Sequence, residues 1–233
     1  MLHIMYRIPL IRERICRYRF LILTKRKHLK VASKKNVLHS KYSSEHFGKY
    51  TSYKRRINFL LGLVEDNFQV DNNSSVLSIG PRFESELFGL RGLGFKWKQI
   101  EAIDTYSYSP HITAGNMHNL PFDNSKFDII VAGWVIAYSK DPLGALCEFH
   151  RVLKPNGVLI FTWELPIGCE LRSFKDISLY RQKVIGDGTK LLKSFDIFSL
   201  KVGTFKIQSL ICSSIGINPT PTSVAAIFRK GTL

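Results

Sequence analysis

The sequence predicts an α/β domain, a largely parallel sheet with helices on both faces, behind a strongly basic helical arm. Two observations predict it. Short apolar runs alternate with longer amphipathic stretches from residue 75 to residue 229, the pattern of strand–helix–strand units. Charge is also partitioned: residues 1–56 hold 16 Lys and Arg against two acids, Glu13 and Glu45, while residues 57–233 hold 18 against 16. Nearly all of the formal +16 therefore belongs to the arm. We accordingly divide the chain into a basic arm with an entry helix (1–56) and a domain (57–233) long enough to bury a core.

In the arm, Ile4, Ile8, Ile11 and Ile15 recur at helical spacing with Arg7, Arg12, Arg14 and Arg19 between them. Pro9 must be tolerated inside this helix or kink it. A positive amphipathic helix suits an anionic membrane surface, a cleft of its own domain, or nucleic-acid phosphates. A solvated or self-packed extension is the plain alternative. An organellar targeting peptide fits the many arginines but not the shortage of serine. Basic residues interrupt every apolar run near the start, so neither a secretory signal nor a membrane span is expected there. Residues 25–35 read as a charged linker. Residues 42–63, with Phe47, Tyr50, Tyr53 and Phe59, read as a lid or entry helix.

Residues 75–80 are a short apolar run closed by Gly80, a buried parallel strand. A helix at 84–91 offers Leu87, Phe88 and Leu90. A second strand at 100–104 ends in Asp104, a short third is expected at 111–115, and a fourth at 127–133. Residues 141–153 are amphipathic, and Lys154-Pro155-Asn156-Gly157 is turn chemistry that stops this helix and launches a strand at 158–163. A helix at 174–185 and strands at 195–202 and 223–229 complete the pattern. The four cysteines are scattered without metal-ligand spacing, so free thiols in a reducing compartment are expected, and no metal site.

Three segments in order, Leu120-Pro121-Phe122, Phe127-Asp128-Ile129-Ile130 and Arg151-Val152-Leu153-Lys154-Pro155-Asn156-Gly157, resemble the small-molecule class I S-adenosylmethionine-dependent methyltransferases, of the type 11-like kind. The resemblance covers roughly residues 75–165. It implies a Rossmann-like sheet of seven strands with the last antiparallel, S-adenosyl-L-methionine as cofactor, and methyl transfer as the activity.

Carried over residue by residue, the first-strand loop becomes Gly80, Pro81, Arg82, Phe83 and Glu84. Of that family's three loop glycines only Gly80 is kept, and Ser78 stands where an acid is usual. Either Glu84 or Glu86 must then offer the carboxylate for the cofactor's ammonium group. Without the resemblance, both are simply acids suited to a helix N-terminus. Asp104, followed by Thr105, matches the acid that holds the ribose hydroxyls. Asn116 and Met117 fall beside adenine. Trp134, after Gly133, faces the sulfonium, where its ring attracts a cation.

No catalytic residue is assigned. His111, His118 and His150 are the histidines considered as bases, and Tyr138 as a group that orients an acceptor. The expected acceptor is a small molecule, a sugar or a lipid-linked compound, because no NPPY-type motif follows the fourth strand and the domain lacks a broad basic face. A nicotinamide enzyme is disfavoured by the lack of G-x-G-x-x-G at Gly80. The opposing reading is a non-catalytic protein that binds nucleic acid or membrane and keeps a vestigial fold. The expected location is cytoplasmic, with the arm able to bring the protein to a membrane.

Overall fold

The computed structural model of the chain describes residues 2–25, 30–31, 51–139, 141–164, 195–199 and 223–230. A short 3-10 helix (Leu2–Arg7) leads into α1 (Pro9–Lys25), followed by the two-residue strand β1 (Lys30–Val31) and by α2 (Thr51–Asn67). Next come β2 (Val76–Ile79), α3 (Glu84–Gly92), β3 (Ile100–Asp104), β4 (Tyr106–Ser107) and β5 (Thr113–Ala114). The series ends with β6 (Phe127–Gly133), α4 (Pro142–Val152), β7 (Leu153–Glu164), β8 (Phe195–Ser199) and β9 (Ser223–Lys230).

The main sheet runs β5-β3-β2-β6-β7-β9-β8. All pairings are parallel except those of β9, which is antiparallel to both β7 and β8. The expected doubly wound sheet with an antiparallel last strand is therefore present. All four residues of β2 are buried, which is why the run is apolar throughout instead of alternating. From β2 the chain steps to β3 on one side and later to β6 on the other. Right-handed crossovers in opposite directions place α3 and α4 on opposite faces. The reversal leaves a crevice at the carboxyl ends of β2 and β6, where open sheets of this kind take ligands.

α2 packs on α3 and reaches β6 and β7, while α4 packs on β7. Leu60 and Val64 of α2, Leu87 and Leu90 of α3, and Phe149 and Val152 of α4 are all buried in one core. The α2–α3 contact depends on Gly89, since a Cβ there would lie 2.2 Å from Leu61. Asp141 caps α4 by accepting from the Gly144 amide, and Pro142 opens the helix, a favourable start.

Lys154–Gly157, expected as a turn before a strand at 158–163, instead lie within β7 as an irregularity between two paired positions: Leu153 pairs with Phe127 and Val158 with Ile129, while Asn156 takes a left-handed φ of 62°. Arg151 explains why the motifs around this turn travel together. Its guanidinium donates to the carbonyls of Leu120 and Phe122 and to Glu148, which in turn accepts from the Leu120 amide.

Elements expected at 100–104 and 127–133 fall where the sequence places them. The third strand is shorter than expected, Thr113–Ala114. The expected helix at 174–185, residues 42–50 of the lid segment and residues 200–202 of the 195–202 strand lie outside the described residues. Within the expected linker, Lys30–Val31 instead pairs antiparallel with Tyr106–Ser107.

The arm departs most from expectation. Pro9 begins α1 instead of lying inside it, so the isoleucines do not share a buried face. Ile4 and Ile8 are exposed, and Ile11 and Ile15 only half-buried. The docked face is Arg12, Cys16, Arg19 and Phe20. Arg19 makes a two-pronged ion pair with the fully buried Glu84, at 2.7 and 2.8 Å. Arg12 donates to Asn58, Glu13 accepts from Ser85, and Phe20 sits edge-on to Phe83 and Tyr108. The buried acid selects this face, because a carboxylate out of water needs a cation more than a hydrophobic slot needs an isoleucine.

Arg19→Met should thus strand Glu84 and lower stability by about 3 kcal/mol, the low end for a broken buried pair because Arg19 is partly exposed. Urea denaturation checks this, and adding Glu84→Gln should recover most of the loss.

Candidate functional site

The loop after β2 is shaped by two left-handed residues, Gly80 (φ 69°) and Arg82 (φ 51°). A Cβ on Gly80 would come within 2.7 Å of Val135, so only glycine lets this loop close against the segment after β6. Arg82 stands where the resemblance places the loop's second glycine. It holds a glycine-like conformation at a cost of about 1–2 kcal/mol. The Arg82 amide donates to Asp104 at 3.0 Å, and the Gly80 amide to the Ile103 carbonyl at 2.8 Å, tying the loop to the end of β3. Pro81 is buried beneath it, and its carbonyl accepts from the Phe83 amide.

The other oxygen of Asp104 accepts from the Thr105 hydroxyl and the Tyr106 amide, both at 3.3 Å. Burial raises the Asp104 pKa, and these donors, led by the Arg82 amide, pull it back. A carboxylate has about four lone-pair sites, so Asp104 keeps capacity for hydroxyl donors.

The two glutamates of α3 have different fates. Glu84 is committed to Arg19, accepts from the Ser109 hydroxyl, and its amide donates to the Tyr108 hydroxyl. Glu86 reaches back to β2, where Ser78 donates to it at 2.6 Å. Its other oxygen lies 3.8 Å from where a Gly133 Cβ would sit. The carboxylate is thus wedged between the carboxyl ends of β2 and β6, in the crevice. Burial, against the Ser78 hydrogen bond and with a smaller push from nearby Asp104, raises its pKa to about 7.

On the far wall, Asn116 is exposed and Met117 half-buried against the core. Asn116 Oδ1 accepts from the His118 amide at 3.0 Å and faces His118 Nδ1 at 2.7 Å. An oxygen that already accepts an amide proton requires the other proton to sit on Nδ1. His118 Nε2 lies 2.7 Å from the Ser139 hydroxyl, whose oxygen also accepts from the Asp141 amide. This chain of groups can take a proton from a hydroxyl.

Trp134 is left-handed at φ 55°, an unusual conformation for so bulky a side chain and a mark of local strain at the end of β6. Its amide donates to the Thr162 carbonyl, Arg56 lies 5.4 Å over its ring, and its buried indole N–H has no partner among the described residues. Tyr138 is exposed. His111 stacks on Trp97 at 4.2 Å, and burial lowers its pKa. The carbonyl of His150 accepts from Lys230.

Gly80, Pro81, Arg82, Asp104 and Thr105 therefore form one connected rim, joined through Val135 to the segment that carries Trp134. Asn116 and Met117 lie on the segment that follows β5. Glu84 is turned to the arm and does not join them. Sequence reasoning missed Ser139, which has no local signal. It also missed the Ser78–Glu86 partnership, which the loss of an acid at 78 could have suggested. Among the described residues, no group of three or more His, Cys, Asp or Glu could hold a metal ion.

S-adenosylmethionine carries a ribose, an ammonium group and a sulfonium. The rim offers a carboxylate (Asp104) for hydroxyls, a buried carboxylate (Glu86) for an ammonium, and an indole (Trp134) with a partnerless N–H and a cation-attracting face. These residues fit the group.

Comparison with known proteins agrees. Residues 96–161 match the model of a methyltransferase domain. A demethylmenaquinone methyltransferase of Staphylococcus epidermidis is 46% identical over 46 residues, 20% of this chain and 19% of that protein. A 2-phytyl-1,4-naphthoquinone methyltransferase of Nostoc punctiforme is 39% identical over 62 residues, 26% of this chain and 27% of that protein. The chain thus spans well under two thirds of either relative's length. A chain from the complex of the Haloferax volcanii Trm112 methyltransferase activator with a methyltransferase superposes with a TM-score of 0.53 at 15% identity. That match covers 79% of this chain and 95% of that one, and it shows the shared fold. The matched segment lies on β3 to β7, so this stretch of the chain is similar to a methyltransferase domain, and the sheet shares the fold of that solved methyltransferase chain.

Proposed function

We propose that this chain transfers a methyl group from S-adenosylmethionine to a small-molecule acceptor, and that the acceptor is lipid-linked. The observation that carries the reading is the placement of Asp104 and Glu86 at the carboxyl ends of adjacent strands, on either side of the Gly80 loop. The match of residues 96–161 to a methyltransferase domain supports the reaction. The acceptor class rests on the two relatives named for quinones, one of them phytylated.

In this reading Asp104 accepts from both ribose hydroxyls, with Thr105 beside it. Glu86 takes the ammonium group in place of the acid that Ser78 replaces. Gly80, Pro81 and Arg82 let the backbone come close to the ligand, Met117 lies along the purine, and Trp134 walls the sulfonium. When bound, the cofactor supplies an already activated methyl group, so alignment and exclusion of water are the protein's main tasks. Asn116 holds the His118 ring through Nδ1, and in the neutral imidazole with its proton there Nε2 is the atom that receives the proton of a hydroxyl acceptor.

Titration calorimetry should show micromolar-range S-adenosylmethionine binding, weakened at least about tenfold by Asp104→Ala, the equivalent of about 1.4 kcal/mol. No heat and no thermal shift with the cofactor or its demethylated product would sink the reading.

The ammonium role of Glu86 has its own signature. Because an ammonium is held by the ionised carboxylate and burial sets the Glu86 pKa at about 7, affinity should rise as pH climbs through that value. Glu86→Gln should both weaken binding and flatten its pH dependence.

The free protein should behave oppositely in stability. Native Glu86 keeps a proton that the unfolded chain, near 4.5, has released, so stability falls as pH rises from about 4.5 to about 7. Thermal melts across that window should lose this slope in Glu86→Gln.

A further inference from the structure

We infer that α1 is a two-sided helix whose outward stripe docks on an anionic lipid surface. The inward stripe is Arg12, Cys16, Arg19, Phe20 and Leu23, positions related by four, seven, eight and eleven residues, and it is held against α3. The same spacing starting from Leu10 gives Arg14, Arg17, Tyr18 and Leu21, and these all face solvent. Leu10 is 60% exposed, Tyr18 68% and Leu21 50%. Just before the helix, Ile4, Met5 and Ile8 are exposed at 56%, 45% and 48%. Six of the seven large exposed hydrophobic side chains of the described residues therefore lie between positions 4 and 21. Single exposed apolar residues are ordinary, but a concentration of them on one element marks an interaction surface.

The charges decide the partner. Glu13 is the only acid in residues 2–25, and it is turned inward to Ser85. Two of the cations, Arg12 and Arg19, are also turned inward. What remains outward on the helix is Arg14 and Arg17 among leucines and a tyrosine, with no acid. Apolar side chains that enter the acyl boundary, flanked by arginines that meet headgroup phosphates, are the composition of an interfacial helix. A site that only neutralises nucleic-acid phosphates has no use for exposed Leu10, Leu21, Ile8 and Met5. No helix among the described residues is long and apolar enough to cross a membrane, so the contact is one of lying on the surface.

The test uses the full chain and sedimentation with two kinds of vesicle, pure phosphatidylcholine and phosphatidylcholine with about 30 mol% phosphatidylserine. The protein should pellet with the anionic vesicles, far less with the neutral ones, and release as salt rises. R14Q combined with R17Q should cut the partition at least about tenfold. Leu10→Ser combined with Leu21→Ser should do the same while leaving the melting temperature and circular dichroism unchanged, because both side chains lie on the outward stripe and outside the core. Absence of pelleting with both vesicles overturns the inference, as does wild-type pelleting by both variants. Salt-sensitive binding to a DNA duplex without vesicle binding also overturns it and assigns the face to nucleic acid. Self-association that the serine variants abolish, again without vesicle binding, overturns it in favour of a second copy of the chain.

Discussion

Two carboxylates lie buried in the first turn of α3, and much of the molecule is arranged around keeping them there. A lone ionised carboxylate in a protein interior is costly enough that it must be paired, hydrogen-bonded or protonated. Glu84 is paired, and the cation it requires comes from Arg19, 65 positions earlier in the chain. That requirement turns α1 so that its arginines, not its isoleucines, meet the domain. Glu86 is instead hydrogen-bonded by Ser78 and left with a pKa near neutrality. Two acids two residues apart thus serve opposite ends. One fastens the arm, and the other keeps a titratable group in the crevice.

The same region stores its conformational strain where a ligand would benefit from it. Gly80, Arg82 and Trp134 are all left-handed, and they surround the crevice from the β2 and β6 sides. For Arg82 and Trp134 that conformation is unfavourable, so contacts must hold it: the Arg82 amide on Asp104, the Trp134 amide on the Thr162 carbonyl. The loop therefore takes the path of a glycine-rich turn with Gly80 as its one glycine. Backbone hydrogen bonds to a carboxylate and a carbonyl compensate for the missing conformational freedom.

The sheet was legible in the sequence because a fully buried strand must be apolar along its whole length and a helix packed on one face must be apolar at every third or fourth place. β3 and β6 follow that rule closely enough that their bounds could be read directly. β5 was overestimated because only Thr113 and Ala114 pair, and a two-residue strand carries no period to read. The grouping of candidate residues was legible where they are near in sequence, as in Gly80, Pro81 and Arg82, or stand at a strand end beside that loop, as in Asp104. It was illegible where partners meet across the fold. Nothing local in Ser139 points to His118, and nothing local in Arg19 points to Glu84. The isoleucine spacing of the arm misled because periodicity reports that a helix has faces without saying which face is docked.

That last point bears on how the arm's charge should be understood. Counting residues gives a tail of unusual positive charge, which suggests a loose cationic extension. The structure divides that charge by direction. Arg12 and Arg19 are consumed internally, and turning them inward is what lets the domain tolerate Glu84 and orient Glu13. Arg14 and Arg17, two and five places from Arg12, share the opposite stripe with large apolar side chains. Because one rigid helix carries both faces, whatever engages the outer stripe also bears on the helix whose Arg19 holds the first turn of α3. The arm is then a joint between the first-strand loop and the surroundings of the protein, and its high charge serves two purposes that a net total cannot separate.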